Sequence, residues 1–208
     1  MRLIGSQYRE TGAFFRKKLA FPTLFCTLFF FSVVFLSGWV FQQNQELLER
    51  ATEQIFTLFE GKNLEIEGRI SPLLLLANNL IASAEGMLLG LLPFLFLPLV
   101  TLAINAAVIG GLGAYSIQLL GWRFILAGIL PHGIFELPAL LLAGAMGVRL
   151  CLEMIRWVLR KPCTHTFPEL LMETARFFLL IVTPLLVLAG LAEGYLTPLV
   201  LELVMGGI

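Results

Sequence analysis

The sequence predicts an all-α fold: a polytopic integral membrane helical bundle of about five transmembrane helices, with a proline-broken fourth span. Three observations carry this expectation. Apolar residues make up 58% of the 208-residue chain and charged residues 13%, well below the usual quarter of a soluble protein. The apolar residues come in long runs that are apolar all round, as expected of helices surrounded by lipid. The charged residues gather between those runs, basic in some segments and acidic in another, which is how topology-setting loops are built.

Taken in order, Met1 to Lys18 is polar, with Arg2, Arg9, Arg16, Lys17 and Lys18. Leu19 to Phe41 is the first span. It is longer than the apolar core of a signal peptide, and it ends in Ser37-Gly38-Trp39-Val40-Phe41 with no small-residue cleavage site. Trp39 suits the far interface. Residues 42–70 form an external acidic amphipathic segment. Leu47, Leu48, Ala51, Ile55, Leu58 and Phe59 recur there at helical spacing, with Glu46, Glu49, Arg50 and Glu53 on other faces. Glu46 and Arg50 stand in the stabilising i,i+4 order.

Residues 71–198 form the membrane bundle. Its second and third spans are expected at Pro72–Leu92 and Phe96–Leu119, with Pro93 and Pro98 at the turn. A fourth run, Trp122 to Val148, is interrupted by the segment from Pro131 to Pro138. An internal basic loop near 149–176 carries Arg149, Arg156, Arg160, Lys161 and Arg176, and the last span runs from Phe177 to Leu196. The tail, 199–208, contains Glu202 and either lies on the outer interface or frays.

The charge bias orients this bundle. Basic residues precede the first span and separate the fourth from the fifth, whereas 42–70 carries Glu46, Glu49, Glu53, Glu60, Glu65 and Glu67 against Arg50, Lys62 and Arg69. Four spans separate the two basic segments, so both can lie inside, with the N-terminus cytoplasmic and the C-terminus external. A net charge of zero offers no basic surface for nucleic acid. Cys26, Cys151 and Cys163 show no paired spacing and read as free thiols acting as small hydrophobes.

Ionisable and amide side chains inside a bilayer are costly and call for partners. Asn78, Asn79 and Glu85 fall in the second span, Asn105 in the third, His132 and Glu136 in the fourth, and Glu193 in the fifth. His132 and Glu136, four residues apart, share a helix face with Gly128, Ala139, Ala143 and Gly147. Ala82, Gly86 and Gly90 form a second small-residue stripe, and small residues let helices approach closely. Pro131, Gly133 and Pro138 make a helix-break motif, since each proline frees an upstream carbonyl. Three readings of His132 and Glu136 remain open: a polar lock between helices, a proton or ion relay, and a metal site. The metal site lacks further ligands, because the other histidine, His165, sits in the basic loop. No His-Glu-x-x-His, Gly-x-Ser-x-Gly or phosphate-binding glycine loop is present, so neither catalytic residues nor a cofactor is expected. Gly110-Gly111-x-Gly113 reads as close helix packing.

The run from Leu130 to Pro138, Leu-Pro-His-Gly-Ile-Phe-Glu-Leu-Pro, followed by Ala139 and Gly144, resembles the signature of the stage II sporulation protein M family. Asn78, Gly86, Gly90, Pro93 and Asn105 stand upstream in the order that family shows, although some relatives have Asn-Gly where this chain has Asn105-Ala106. Leu191 to Pro198 is similar to its closing Glu-containing segment before Thr-Pro. The likeness covers roughly Leu73 to Pro198, while the first span and acidic loop share only the arrangement. It implies a membrane scaffold that, in spore formers, acts in forespore engulfment with peptidoglycan-degrading partners.

The expected function is therefore a non-enzymatic scaffold that organises or localises partners in the cytoplasmic membrane. The alternative is a transporter or proton-coupled permease using His132, Glu136, Glu85 and Glu193. Expected partners are membrane lipid and other membrane or envelope proteins. A homo-oligomer through Ala82-x-x-x-Gly86-x-x-x-Gly90 stays open.

Overall fold

The computed structural model describes residues 2–60, 65–66, 69–163 and 166–205. Lys62, Glu67, His165 and residues 206–208 lie outside the described residues. Five helical stretches among them are long and apolar enough to cross a membrane: Gly5–Gln43, Pro72–Leu91, Leu97–Leu119, Ile125–Val158 and Phe167–Val204. Their outward side chains are large and apolar. Phe21 is 79% and Phe35 78% exposed, which fits a lipid-facing surface and would be a liability in water.

The first span is α1 (Arg2–Phe14) running into α2 (Ala20–Gln43), and α3 (Gln45–Glu60) follows. Residues 1–18, read as a polar lead-in, are thus largely helical and continuous with the span. A two-residue antiparallel ladder, β1 (Glu65–Ile66) with β2 (Arg69–Ile70), precedes α4 (Pro72–Leu88). A short 3₁₀ turn, Leu89–Leu91, and a tight link lead to α5 (Leu97–Leu120), and α6 (Trp122–Val158) follows. The fifth span is α7 (Phe167–Phe177), α8 (Thr183–Leu191) and α9 (Thr197–Met205) end to end.

Three π-turns, Phe15–Leu19, Phe178–Val182 and Ala192–Leu196, join the pieces of the two outer spans. Each is closed by an N–H bonding five residues back, from Ala20, Thr183 and Thr197. Pro22, Pro184 and Pro198 follow within two residues of these closures. A proline ring collides with the carbonyl four residues upstream, and an extra residue in the turn relieves that collision while keeping the backbone bonded.

The fourth span corrects two expectations. The proline-broken helix is unbroken: α6 runs 37 residues with Pro131 and Pro138 inside it. In a packed transmembrane bundle, neighbouring helices and side chains can satisfy the carbonyls that proline frees, so the helix need not end there. The basic loop near 149–176 also shrinks, because Arg149 and Arg156 belong to α6 and Arg176 to α7. The tail to Met205 continues as α9 along α6 instead of fraying.

α6 is the axis of the bundle, and Ala143 to Cys151 is buried on every side. One core cluster joins Phe14, Met87, Met146, Leu150, Leu170 and Phe177. Another joins Cys26, Phe30, Leu102, Ala106 and Ala145. The two small-residue stripes meet each other. A Cβ on Gly90 would lie 2.0 Å from the Gly147 carbonyl oxygen, so α6 and the turn after α4 touch backbone to backbone. Gly110 of α5 is equally tight against Val34 and Ser37 of α2.

Both basic segments lie at one end of this bundle. Glu10 of α1 pairs with Arg176 of α7, and the Phe14 and Phe177 rings are 5.7 Å apart. The acidic helix α3 packs at the opposite ends of α2 and α5. Its Leu48 is buried, while Glu46, Glu49, Arg50 and Glu53 are exposed. The Glu46–Arg50 pair forms at 2.6 Å.

Candidate functional site

Inside the membrane-spanning region the polar side chains form a continuous chain across three spans. His132 Nδ1 on α6 contacts the Glu193 carboxylate and lies 3.3 Å from Thr197 Oγ1. The Thr197 hydroxyl in turn donates to Glu193 at 3.3 Å. With acceptor oxygens on that side, Nδ1 is the ring nitrogen placed to carry the proton. The other nitrogen, Nε2, is 3.9 Å from Glu136, a charge contact too long for a hydrogen bond. Asn79 Nδ2 donates to the other Glu136 oxygen at 3.1 Å, and Asn78 Nδ2 donates to Asn79 Oδ1 at 3.3 Å.

Local structure explains why these groups meet. His132 and Glu136 sit one turn apart on the buried face of α6, beside Ala139 and Ala143. Glu193 lies in the π-turn that precedes Pro198. The wider turn rotates the following helix relative to a regular α-helix, and Glu193 and Thr197 reach His132 together from that span. Gly194 allows the close approach of Pro72, whose ring would collide with any Cβ there. Asn78 and Asn79 follow on the same helix as Pro72.

Sequence reasoning gathered Asn78, His132, Glu136 and Glu193 into one cluster, and the structure joins them. One of the three open readings, the polar lock, has His132 and Glu136 bonded to each other across a helix break. Instead the helix is whole, and the tighter contact of His132 is with Glu193. Pro131 and Gly133 are buried within the helix and Pro138 is exposed. Glu85 and Asn105 stand apart from the chain, on a neighbouring cleft of about 200 Å³ whose lining also includes Glu136. Asn105 donates to the Thr101 backbone oxygen of its own helix at 2.9 Å. No group of three or more His, Cys, Asp or Glu among the described residues is arranged to hold a metal ion.

A second polar centre escaped the sequence reading. Arg149 is 5% exposed, its guanidinium 3.2 Å from Glu173 of α7 and 4.6 Å from the centre of the Phe14 ring. Glu153, one turn on, is bound by Arg156 at 2.9 Å. This centre ties the N-terminal helix, α6 and α7 at the basic end of the bundle. The available signal was the Arg149–Glu153 spacing of i,i+4 within an apolar stretch.

No curated protein and no solved structure matches the chain. The family model described as stage II sporulation protein M matches residues 26–198, which takes in the second to fifth spans up to Pro198 and most of the first. Its reach covers every member of the intramembrane polar chain. The chain belongs to the stage II sporulation protein M family.

Proposed function

We propose that this protein is a non-enzymatic scaffold of the cytoplasmic membrane, with its N-terminus inside and C-terminus outside, that localises or organises partner proteins. In a spore former the task would be septal engulfment with peptidoglycan-degrading partners, the role that the family resemblance implies. The observation that carries the reading is α3. Its buried Leu48 fixes it to the end of the bundle while an acidic face remains open to a partner. The intramembrane chain from Asn78 to Glu193 then serves as a lock that holds three spans in register, since interhelical polar bonds hold spans together in lipid.

The proposed orientation is supported by the two basic segments sharing one end of the bundle, since the positive-inside bias favours the cytoplasm for such an end. Cys26 and Cys151 are buried, and Cys163 lies in the link between α6 and α7. A membrane-impermeant maleimide is expected to leave Cys163 unlabelled in intact cells and to label it after permeabilisation. Labelling in intact cells would reverse the topology.

A second reading, a proton-coupled permease, is favoured by the contiguous order Asn78–Asn79–Glu136–His132–Glu193, hydrogen-bonded or ion-paired except for the 3.9 Å gap between Glu136 and His132. The two separate in liposomes. As a lock, wild-type protein carries no proton or solute flux, and His132→Ala lowers stability by about 1–2 kcal/mol. Flux through wild type that His132→Ala abolishes without loss of stability would establish the permease.

A further inference from the structure

We propose that the cleft between α4 and α5 docks a transmembrane helix of a partner protein carrying a Lys or Arg side chain at mid-bilayer depth. This deepens the scaffold reading and rests on it. The cleft is walled by Ser83, Glu85 and Gly86 of α4, Thr101 and Asn105 of α5, and Glu136 of α6. α4 and α5 both pack on α6 more than on each other, so the cleft opens to the lipid side, where Ile81, Leu88 and Ile104 are exposed. Glu85 lies thirteen residues along α4 from Pro72, about 20 Å at the helical rise. This is well within the hydrocarbon layer.

Glu85 is the unusual group. It is exposed at the cleft mouth and has no hydrogen-bond or ion-pair partner among the described residues. The Glu136 side chain behind it adds acceptor oxygens to the cleft. A carboxylate facing lipid is costly unless a cation or donor meets it. This chain brings no such cation to that depth. No Lys or Arg occurs between Arg69 and Arg123, between Arg123 and Arg149, or after Arg176. Arg149 itself is enclosed by Phe14 and Glu173. A second copy therefore brings no Lys or Arg to the site, and the complementary charge belongs to another chain. The volume, about 200 Å³, accepts one long basic side chain. Ala82, exposed on the α4 side, leaves room for the approaching backbone, while Gly86 packs towards Thr101.

The test reconstitutes the full chain in phosphatidylcholine vesicles with a labelled Leu-rich transmembrane peptide bearing one central Lys. Matched peptides carry Leu or Glu instead, and association is read by energy transfer. The Lys peptide is expected to bind about tenfold more tightly than the Leu peptide. Glu85→Gln removes that preference, and Glu85→Lys transfers it to the Glu peptide, a gain that misfolding cannot imitate. Equal binding of the Lys and Leu peptides, or a preference that survives both variants, overturns the proposal. So does protection of wild type but not Glu85→Gln against thermal unfolding by n-butylammonium without peptide preference, which assigns the cleft to a small cation. Failure here leaves the scaffold reading to be judged on native partners, and a chain without native partners leaves the peptide result standing.

Discussion

Gly90→Ala is expected to destabilise the protein by at least about 3 kcal/mol, at the upper end of overpacking costs, or to prevent its accumulation. The added Cβ would stand 2.0 Å from the Gly147 carbonyl oxygen and 2.9 Å from its Cα. The colliding atoms are backbone on both sides, so no rotamer change relieves them. The contact also sits where the chain is least free to move. Phe94 and Phe96, just beyond Gly90, both have positive φ, a conformation that non-glycine residues adopt rarely and only when packing dictates it. Gly113→Ala is the control, because its Cβ meets nothing within 4 Å. That variant is expected to match wild type or gain a few tenths of a kcal/mol from helix propensity. Thermal unfolding in mild detergent reads both, and equal midpoints for Gly90→Ala and Gly113→Ala would refute the backbone contact.

Arg149→Ala is expected to cost about 3–5 kcal/mol, the range for removing one partner of a buried ion pair. The change removes the cation facing Glu173 and the guanidinium over Phe14. One guanidinium nitrogen, Nη1, is already buried without a hydrogen bond, so part of the cost of burying this charge is being met by the ring contact and Glu173. Arg149→Lys keeps the charge but loses the planar fork and its stacking, and an intermediate loss is expected. Because Arg149 pins α1 through Phe14, trypsin should cut sooner at Arg9, Arg16 and Lys17 in Arg149→Ala than in wild type. Unchanged proteolysis with unchanged stability would mean the centre does not hold the N-terminal helix.

These two sites also mark where the sequence was legible. The five spans were readable because their signal is local: a run long enough to cross lipid shows in the residues themselves. The Gly86/Gly90 and Gly147 stripes were readable as packing surfaces for the same reason, although their partners were not. The helix break at Pro131 and Pro138 was misread because the rule applied belongs to helices in water. Arg149 reads in sequence as a loop charge, since its burial depends on Phe14 and Glu173, residues brought to it only by the fold. The intramembrane cluster was half visible. Residue types identified Asn78, His132, Glu136 and Glu193, but the decisive contact between His132 and Glu193 depends on a π-turn that no hydropathy pattern reports. Its one local trace is the Thr-Pro pair that recurs at Thr183-Pro184 and Thr197-Pro198, each preceded by such a turn.

The central proposal is that this bundle exists to hold other proteins, and mild-detergent purification of the tagged chain from its native membranes, with mass spectrometry of what accompanies it, tests that most directly. A scaffold is expected to bring down a partner in stoichiometric amount, to lose it when Gln42–Arg69 is deleted, and to keep it in His132→Ala. A chain that emerges alone, as a well-behaved monomer or homo-oligomer, would contradict the scaffold.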